Sequence, residues 1–339
     1  MCWLSIGADT HYNGNLNWIM RIVFMGTGEI ALPTFQRLAE SVNLVGLVTQ
    51  PDRPVGRSSK AQPPRIKSQA LERSIPVLQP EDVRCEEDIT AIAALDPDLI
   101  VVMAYGQILT RSLMAVPPLG CLNVHASLLP RHRGASCIQA AIASGDQKSG
   151  ISIIKMVERL DAGDVVLAEP IRLSSDETGG SLHDRLGAMA PELMMKCIKR
   201  LADDTLVGTP QDHEMATYAP QLRRFEGQLD WSLPAEVLER RIRAYEPWPG
   251  SYTHFKDSRG RTKRMKVFAD VRASSEVKAA VPGKVVNVAS SGITVACGDG
   301  GLVLKELQIE GGKRLSAAEL IRGNAFEVGE GFFSLVGSP

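Results

Sequence analysis

The chain has 339 residues, 44% of them hydrophobic and 23% charged. That balance excludes a disordered or fibrous chain, and at about 100–200 residues per domain it provides for two cores. The formal net charge of −1 excludes a uniformly basic nucleic-acid binder but leaves room for a local basic face.

Residues 1–19 carry no Lys or Arg and no apolar core run, so they do not read as a signal peptide. They read as an extension with no expected function. Arg21–Gly26 is an apolar strand running into glycines, residues 30–41 have helical spacing, and residues 43–49 form a second strand. Leu99–Met103 is continuously apolar, as a strand buried on both faces must be. Residues 121–126 form another strand. Strands alternating with helices predict a parallel α/β sheet.

Two further strands are predicted over 150–157 and 164–168, then a helix over 182–201. Residues 202–213 are polar and broken by Gly208 and Pro210, which marks a linker. Residues 234–245 suit a helix with charged faces. Short strand-like runs at 251–255, 265–270, 283–289, 292–297 and 302–309 suggest a small β-barrel. The longest apolar run, residues 99–110, is too short to span a bilayer, so a cytoplasmic protein is expected. Its six cysteines form no Cys-x-x-Cys pair, so neither a disulfide framework nor a zinc site is expected. Residues 220–339 hold 18 Lys and Arg against 14 Asp and Glu, a net of +4; the remainder holds 20 against 25, a net of −5.

Gly26-x-Gly28 followed by Ala31 has the spacing of a dinucleotide-binding turn, but equally suits any tight strand-to-helix turn. The acidic residue that should end the second strand to hold a ribose is missing, for that strand ends Val48-Thr49-Gln50. Asn123 and His125 sit two apart on a strand and so share a face, at the carboxyl end where ligands bind in open α/β sheets. The loop Ser127 to Gly134 contains Arg131, His132 and Arg133, and either holds an anionic or planar ligand or is a solvated basic turn. Asp161 lies on a turn and either orients the His125 imidazole or caps its own backbone. Residues 52–67 carry Arg53, Arg57, Lys60, Arg65 and Lys67 against Asp52, which predicts a long exposed loop, gripping phosphates or merely solvated.

Asn123-Val-His125-Ala-Ser127-Leu-Leu-Pro-Arg-His-Arg-Gly134 resembles the signature of the folate-dependent formyltransferases, and Leu160-Asp161-Ala-Gly-Asp164 resembles their second motif. Thr49-Gln-Pro-Asp-Arg-Pro54 with Gly56-Arg57, Val102-Met-Ala-Tyr-Gly106, Asp230-Trp-Ser232 and Arg243-Ala-x-x-Pro-Trp-Pro249 are similar to the branch acting on charged initiator tRNA. The resemblance implies a Rossmann-like formyl-donor domain over 20–203, the linker 204–223, and an OB-like tRNA-binding β-barrel domain over 224–339. It implies transfer of the formyl group of 10-formyltetrahydrofolate to the α-amino group of the methionine on initiator tRNA. Asn123, His125 and Asp161 fall at the family's catalytic positions, and Ser127, Leu128, Leu129 and Pro130 at its folate loop. Gln107 and Leu109 fall at its pterin pocket, and Arg57 with Lys60 in its tRNA-contacting loop. No metal, no covalent intermediate and no membrane are implied, so Cys121 and Cys137 are expected to be bystanders; a monomer is expected. The alternative is a relative acting on another amine, such as an amino-sugar nucleotide. One departure stands beside the signature: Ser136-Cys137 replaces a common Ala-Pro.

Overall fold

The computed structural model describes residues 20–54, 61–278, 280–322 and 326–334. They divide into two compact units: the chain up to Asn123 with Pro191–Val207, and Val124–Ala190 with the chain from Gly208 on.

In the first unit the chain passes through β1 (Arg21–Gly26), α1 (Leu32–Ser41), β2 (Asn43–Val48), β3 (Arg53–Pro54), β4 (Ala61–Gln62), α2 (Arg65–Glu72), β5 (Val77–Leu78), α3 (Glu86–Ala93), β6 (Leu99–Met103), α4 (Arg111–Met114) and β7 (Cys121–His125). Strands lie in the order β5-β2-β1-β6-β7 and pair in parallel. The expected parallel α/β sheet is thus present. Every residue of β6 is buried, as its unbroken apolar run requires. Helix α1 turns Leu32, Thr34, Phe35 and Leu38 inward, and its Phe35 ring meets Phe24 of β1 at 5.9 Å.

The glycine turn after β1 is a packing device. A Cβ at Gly26 would come within 2.6 Å of the Phe24 ring and 2.8 Å of the Met103 carbonyl oxygen. The amides of Thr27 and Gly28 both donate to Ala104 O, so they are committed within the protein.

Residues 52–67 are more structured than the expected loop. β3 and β4 pair antiparallel, and α2 already begins at Arg65. Lys67 is not a solvated cation: its Nζ lies 2.9 Å from both carboxylate oxygens of Asp52, which also accepts from Gln79 at 2.7 Å. Arg57, Lys60 and the extension 1–19 lie outside the described residues.

The second unit continues through α5 (Cys137–Ala143), the antiparallel pair β8 (Lys148–Lys155) and β9 (Val165–Arg172), and the part of α6 (Gly179–Ala202) that precedes Pro191. After Gly208 come α7 (Ala235–Ala244), β10 (Ser251–Lys256), β11 (Thr262–Val267), β12 (Val271–Ser274), β13 (Val285–Ala289), β14 (Gly292–Ala296), β15 (Gly301–Leu304), β16 (Glu306–Ile309), β17 (Leu315–Ser316), α8 (Ala317–Arg322) and β18 (Phe332–Phe333). They form two antiparallel sheets, β17-β16-β11-β10-β18 and β12-β15-β14-β13. Among the described residues, one core gathers Trp231, Leu238 and Ile242 with Phe255, Met265, Val295, Leu304, Leu307 and Phe332. Phe326 sits edge-on to Phe255 and Phe332 at 5.0 and 5.3 Å, contacts each worth about 0.5–1.5 kcal/mol beyond area burial. Trp231 buries its indole by donating to Thr253 Oγ1 at 2.9 Å. β17 and β18 are too short to carry any periodicity, and β12 is charged and half-exposed, so apolar patterning does not reveal them.

Candidate active site

β7 delivers Asn123 and His125 to one face of the same strand, two residues apart, and His125 is buried. The His125 Nε2 lies 2.9 Å from the carbonyl oxygen of His132, which can only accept, so this nitrogen carries a proton. Its Nδ1 lies 3.6 Å from Asp161 Oδ2, within ion-pair reach but beyond a hydrogen bond. Cys137, the first residue of α5, also hydrogen-bonds the ring. Burial alone pushes the ring's pKa down. The Cys137 sulfur, the Asp161 carboxylate and the His132 carbonyl push it up by more, and it stands raised to about 9. These neighbours favour the imidazolium form of the buried ring.

Asp161 is placed by its backbone. It sits at φ 48° on the turn between β8 and β9, and its Oδ2 accepts from the Gly134 amide at 2.7 Å. A Cβ at the neighbouring Gly163 would stand 1.7 Å from Lys155 O, so the turn closes only with glycine there.

Most polar groups of the signature loop are bonded within the protein, while Arg131 stays exposed. Ser127 Oγ donates to Arg131 O at 2.7 Å, and Ser152 of β8 donates to Ser127 O while accepting from the Leu129 amide. Asp146 takes Arg131 at 2.6 Å and His132 at 2.7 Å. Arg133 is fully buried. In the first unit, the Gln107 side chain is committed to the segment before α3: its Oε1 accepts from Val83 N at 2.8 Å and its Nε2 donates to Pro80 O at 3.2 Å. Leu109 is buried. Among the described residues, no group of three or more His, Cys, Asp or Glu is arranged to hold a metal ion, and no helix is long and apolar enough to cross a membrane.

Comparison with known proteins decides the family. The formyl transferase profile matches residues 20–198, and the profile of the formyl transferase C-terminal domain matches residues 221–325. The chain belongs to the formyl transferase family. It is 47% identical, over 90% of its length and 97% of the relative's, to a methionyl-tRNA formyltransferase of Akkermansia muciniphila. Among solved structures, its fold resembles that of an N-formyltransferase from Helicobacter canadensis in complex with folinic acid and dTDP-3-aminofucose, at 12% identity and a TM-score of 0.58, covering 87% of this chain and 100% of that one. It also resembles HypX from Aquifex aeolicus in complex with tetrahydrofolic acid, at 18% identity and a TM-score of 0.55. The match covers 89% of this formyl transferase and 47% of HypX, so this chain spans about half of that protein.

Two features of the site escaped the sequence reading. Cys137, expected as a bystander, contacts His125. Cys121 faces the Met114 carbonyl instead, and burial pushes its thiol up to about 12. The polar stretch after Gly208 also supplies Gln211, whose Nε2 donates to the backbone carbonyls of Asp161 at 2.8 Å and Gly163 at 2.6 Å. A Gln flanked by Pro and Asp carries no signal of that task.

Proposed function

We propose that the chain transfers the formyl group of 10-formyltetrahydrofolate to the α-amino group of methionyl initiator tRNA, the step that prepares it for translation initiation. What carries this reading is the 47% identity, over nearly the whole of both chains, to a protein named for that reaction. Residues 20–203 hold the folate donor, through Gln107, Leu109 and the loop Ser127, Leu128, Leu129 and Pro130. Residues 224–339 and the loop bearing Arg57 and Lys60 meet the tRNA, with 204–223 between them. The protein acts as a cytoplasmic monomer.

The amine attacks the formyl carbon and negative charge develops on the formyl oxygen. The Asn123 amide and the His125 imidazolium stabilise that charge; one such donor is typically worth roughly 100–1,000-fold. Asp161 orients His125 and helps the attacking nitrogen shed its proton. The tetrahedral intermediate collapses by breaking the bond to N10 of the folate, which takes up a proton, leaving formyl-methionyl-tRNA and tetrahydrofolate.

The test mixes the protein with 10-formyltetrahydrofolate and charged initiator tRNA and assays formyl-methionine, with an amino-sugar nucleotide and glycinamide ribonucleotide as parallel acceptors. Formylation of either small acceptor in preference to the tRNA would overturn the proposal. Arg57→Ala is expected to weaken productive tRNA engagement; a rise confined to the folate KM would show the loop's role misassigned.

A further inference from the structure

The stretch from Gly208 to Ala219, between the two regions matched by the family, is bonded directly to the signature loop. Arg133 N donates to Thr217 O at 2.8 Å, Ala219 N to Arg133 O at 2.7 Å, and Ser136 N to Ala219 O at 3.1 Å. The buried Arg133 guanidinium points into this strap. Its Nε and Nη2 reach Gln211 Oε1 at 3.2 and 2.6 Å, its Nη2 reaches His213 Nδ1 at 2.9 Å, and its Nη1 reaches the Tyr218 hydroxyl at 3.4 Å.

A guanidinium only donates, so it fixes which end of the Gln211 amide is oxygen. The amide nitrogen must then face the other way, where its two hydrogens meet the carbonyls of Asp161 and Gly163. Gln211 is nine-tenths buried, and both ends of its amide are used. The turn it holds needs holding: a residue other than glycine at positive φ persists only where its surroundings over-determine it.

We infer that Gln211 is a positioning residue for formyl transfer, its amide locking the turn that keeps the Asp161 carboxylate beside His125. This rests on the assignment of Asp161 to the chemistry. Gln211→Glu is the discriminating change, because it keeps an acceptor for Arg133 but loses both donors to the turn.

The experiment measures formyl transfer and the His125 titration by NMR in the wild type, Gln211→Glu, Gln211→Met and Asp161→Asn. A misplaced reacting group costs about 100-fold, so kcat is expected to fall about 10–100-fold in both Gln211 variants, with KM for either substrate within about threefold. The His125 titration is expected to move down, as in Asp161→Asn. A folded Gln211→Glu protein with wild-type kcat and an unmoved His125 would overturn the inference while Asp161→Asn remained crippled. Normal turnover in Asp161→Asn would overturn both this inference and the reading it rests on. Should neither Gln211 variant fold, the wild type decides: the Gln211 side-chain amide protons are expected to exchange slowly with solvent, and exchange at the rate of a free amide would overturn the inference.

Discussion

Two buried histidines of the second unit have opposite protonation preferences. His125 and His254 are 6% and 8% exposed, so burial penalises the charged form of both. His125 faces a carbonyl, a carboxylate and a sulfur, and its pKa is raised to about 9. His254 lies on β10, with Tyr252 edge-on at 5.6 Å and Phe333 at 6.2 Å, opposite Arg264 of β11 in the strand register. Burial lowers its pKa and the Arg264 charge lowers it further, against a smaller opposing effect from Glu310. Its Nδ1 has no hydrogen-bond partner among the described residues. The difference teaches that burial sets the cost of a charge and neighbours decide whether it is met. An imidazolium inside a protein has to be built, and one of these two sites is built.

The comparison can be broken first at His125. His125→Ala is expected to lower formyl transfer by on the order of 100–1,000-fold while tRNA binding persists, and turnover within a few-fold of wild type would sink the assignment. Asp161→Asn should cost roughly 100-fold by loosening the ring. It should also draw the alkaline limb of the rate profile to lower pH, since Asp161, Cys137 and the His132 carbonyl share the task of keeping the ring charged. An unmoved limb would leave that task to the other two.

Stability sharpens the contrast in sign. Folding raises the His125 pKa from 6.5, so its contribution is full below pH 6.5 and is lost as pH rises through about 9. Thermal melts from pH 6 to 9.5 should show a decline that His125→Gln reduces. The smallest effect is expected at His254, whose pKa folding lowers. Its contribution is full above pH 6.5 and is lost as pH falls through the depressed value. His254→Phe should blunt the acid-side loss of Tm, and an unchanged acid limb would place that loss elsewhere.

Much of this was legible in the residues. The unbroken apolar run Leu99–Met103 could only be a strand buried on both faces, and Asn123-x-His125 at a strand end pointed to the carboxyl edge of a sheet. The rest depends on pairings that no local pattern carries. Arg133 bridges to Tyr218 across 85 residues, and a strap held by backbone bonds has the same polar, Gly- and Pro-broken composition as a free tether. Lys67 read as part of a basic loop because nothing in the order of residues announces that Asp52 and Gln79 enclose it. Cys137 followed a glycine that looked like the end of the motif, yet α5 begins there and returns its side chain to the ring.

The close approach at Gly134 bears on whether this machinery is portable. At φ 107°, a Cβ on that residue would stand 2.6 Å from the Ala219 carbonyl oxygen. The glycine that ends the signature is therefore dictated by a segment 85 positions downstream as well as by its own loop. Anyone grafting the Asn-x-His signature onto another scaffold would have to carry the 217–219 segment as a second insert, because the signature loop and its strap are bonded and packed as one unit.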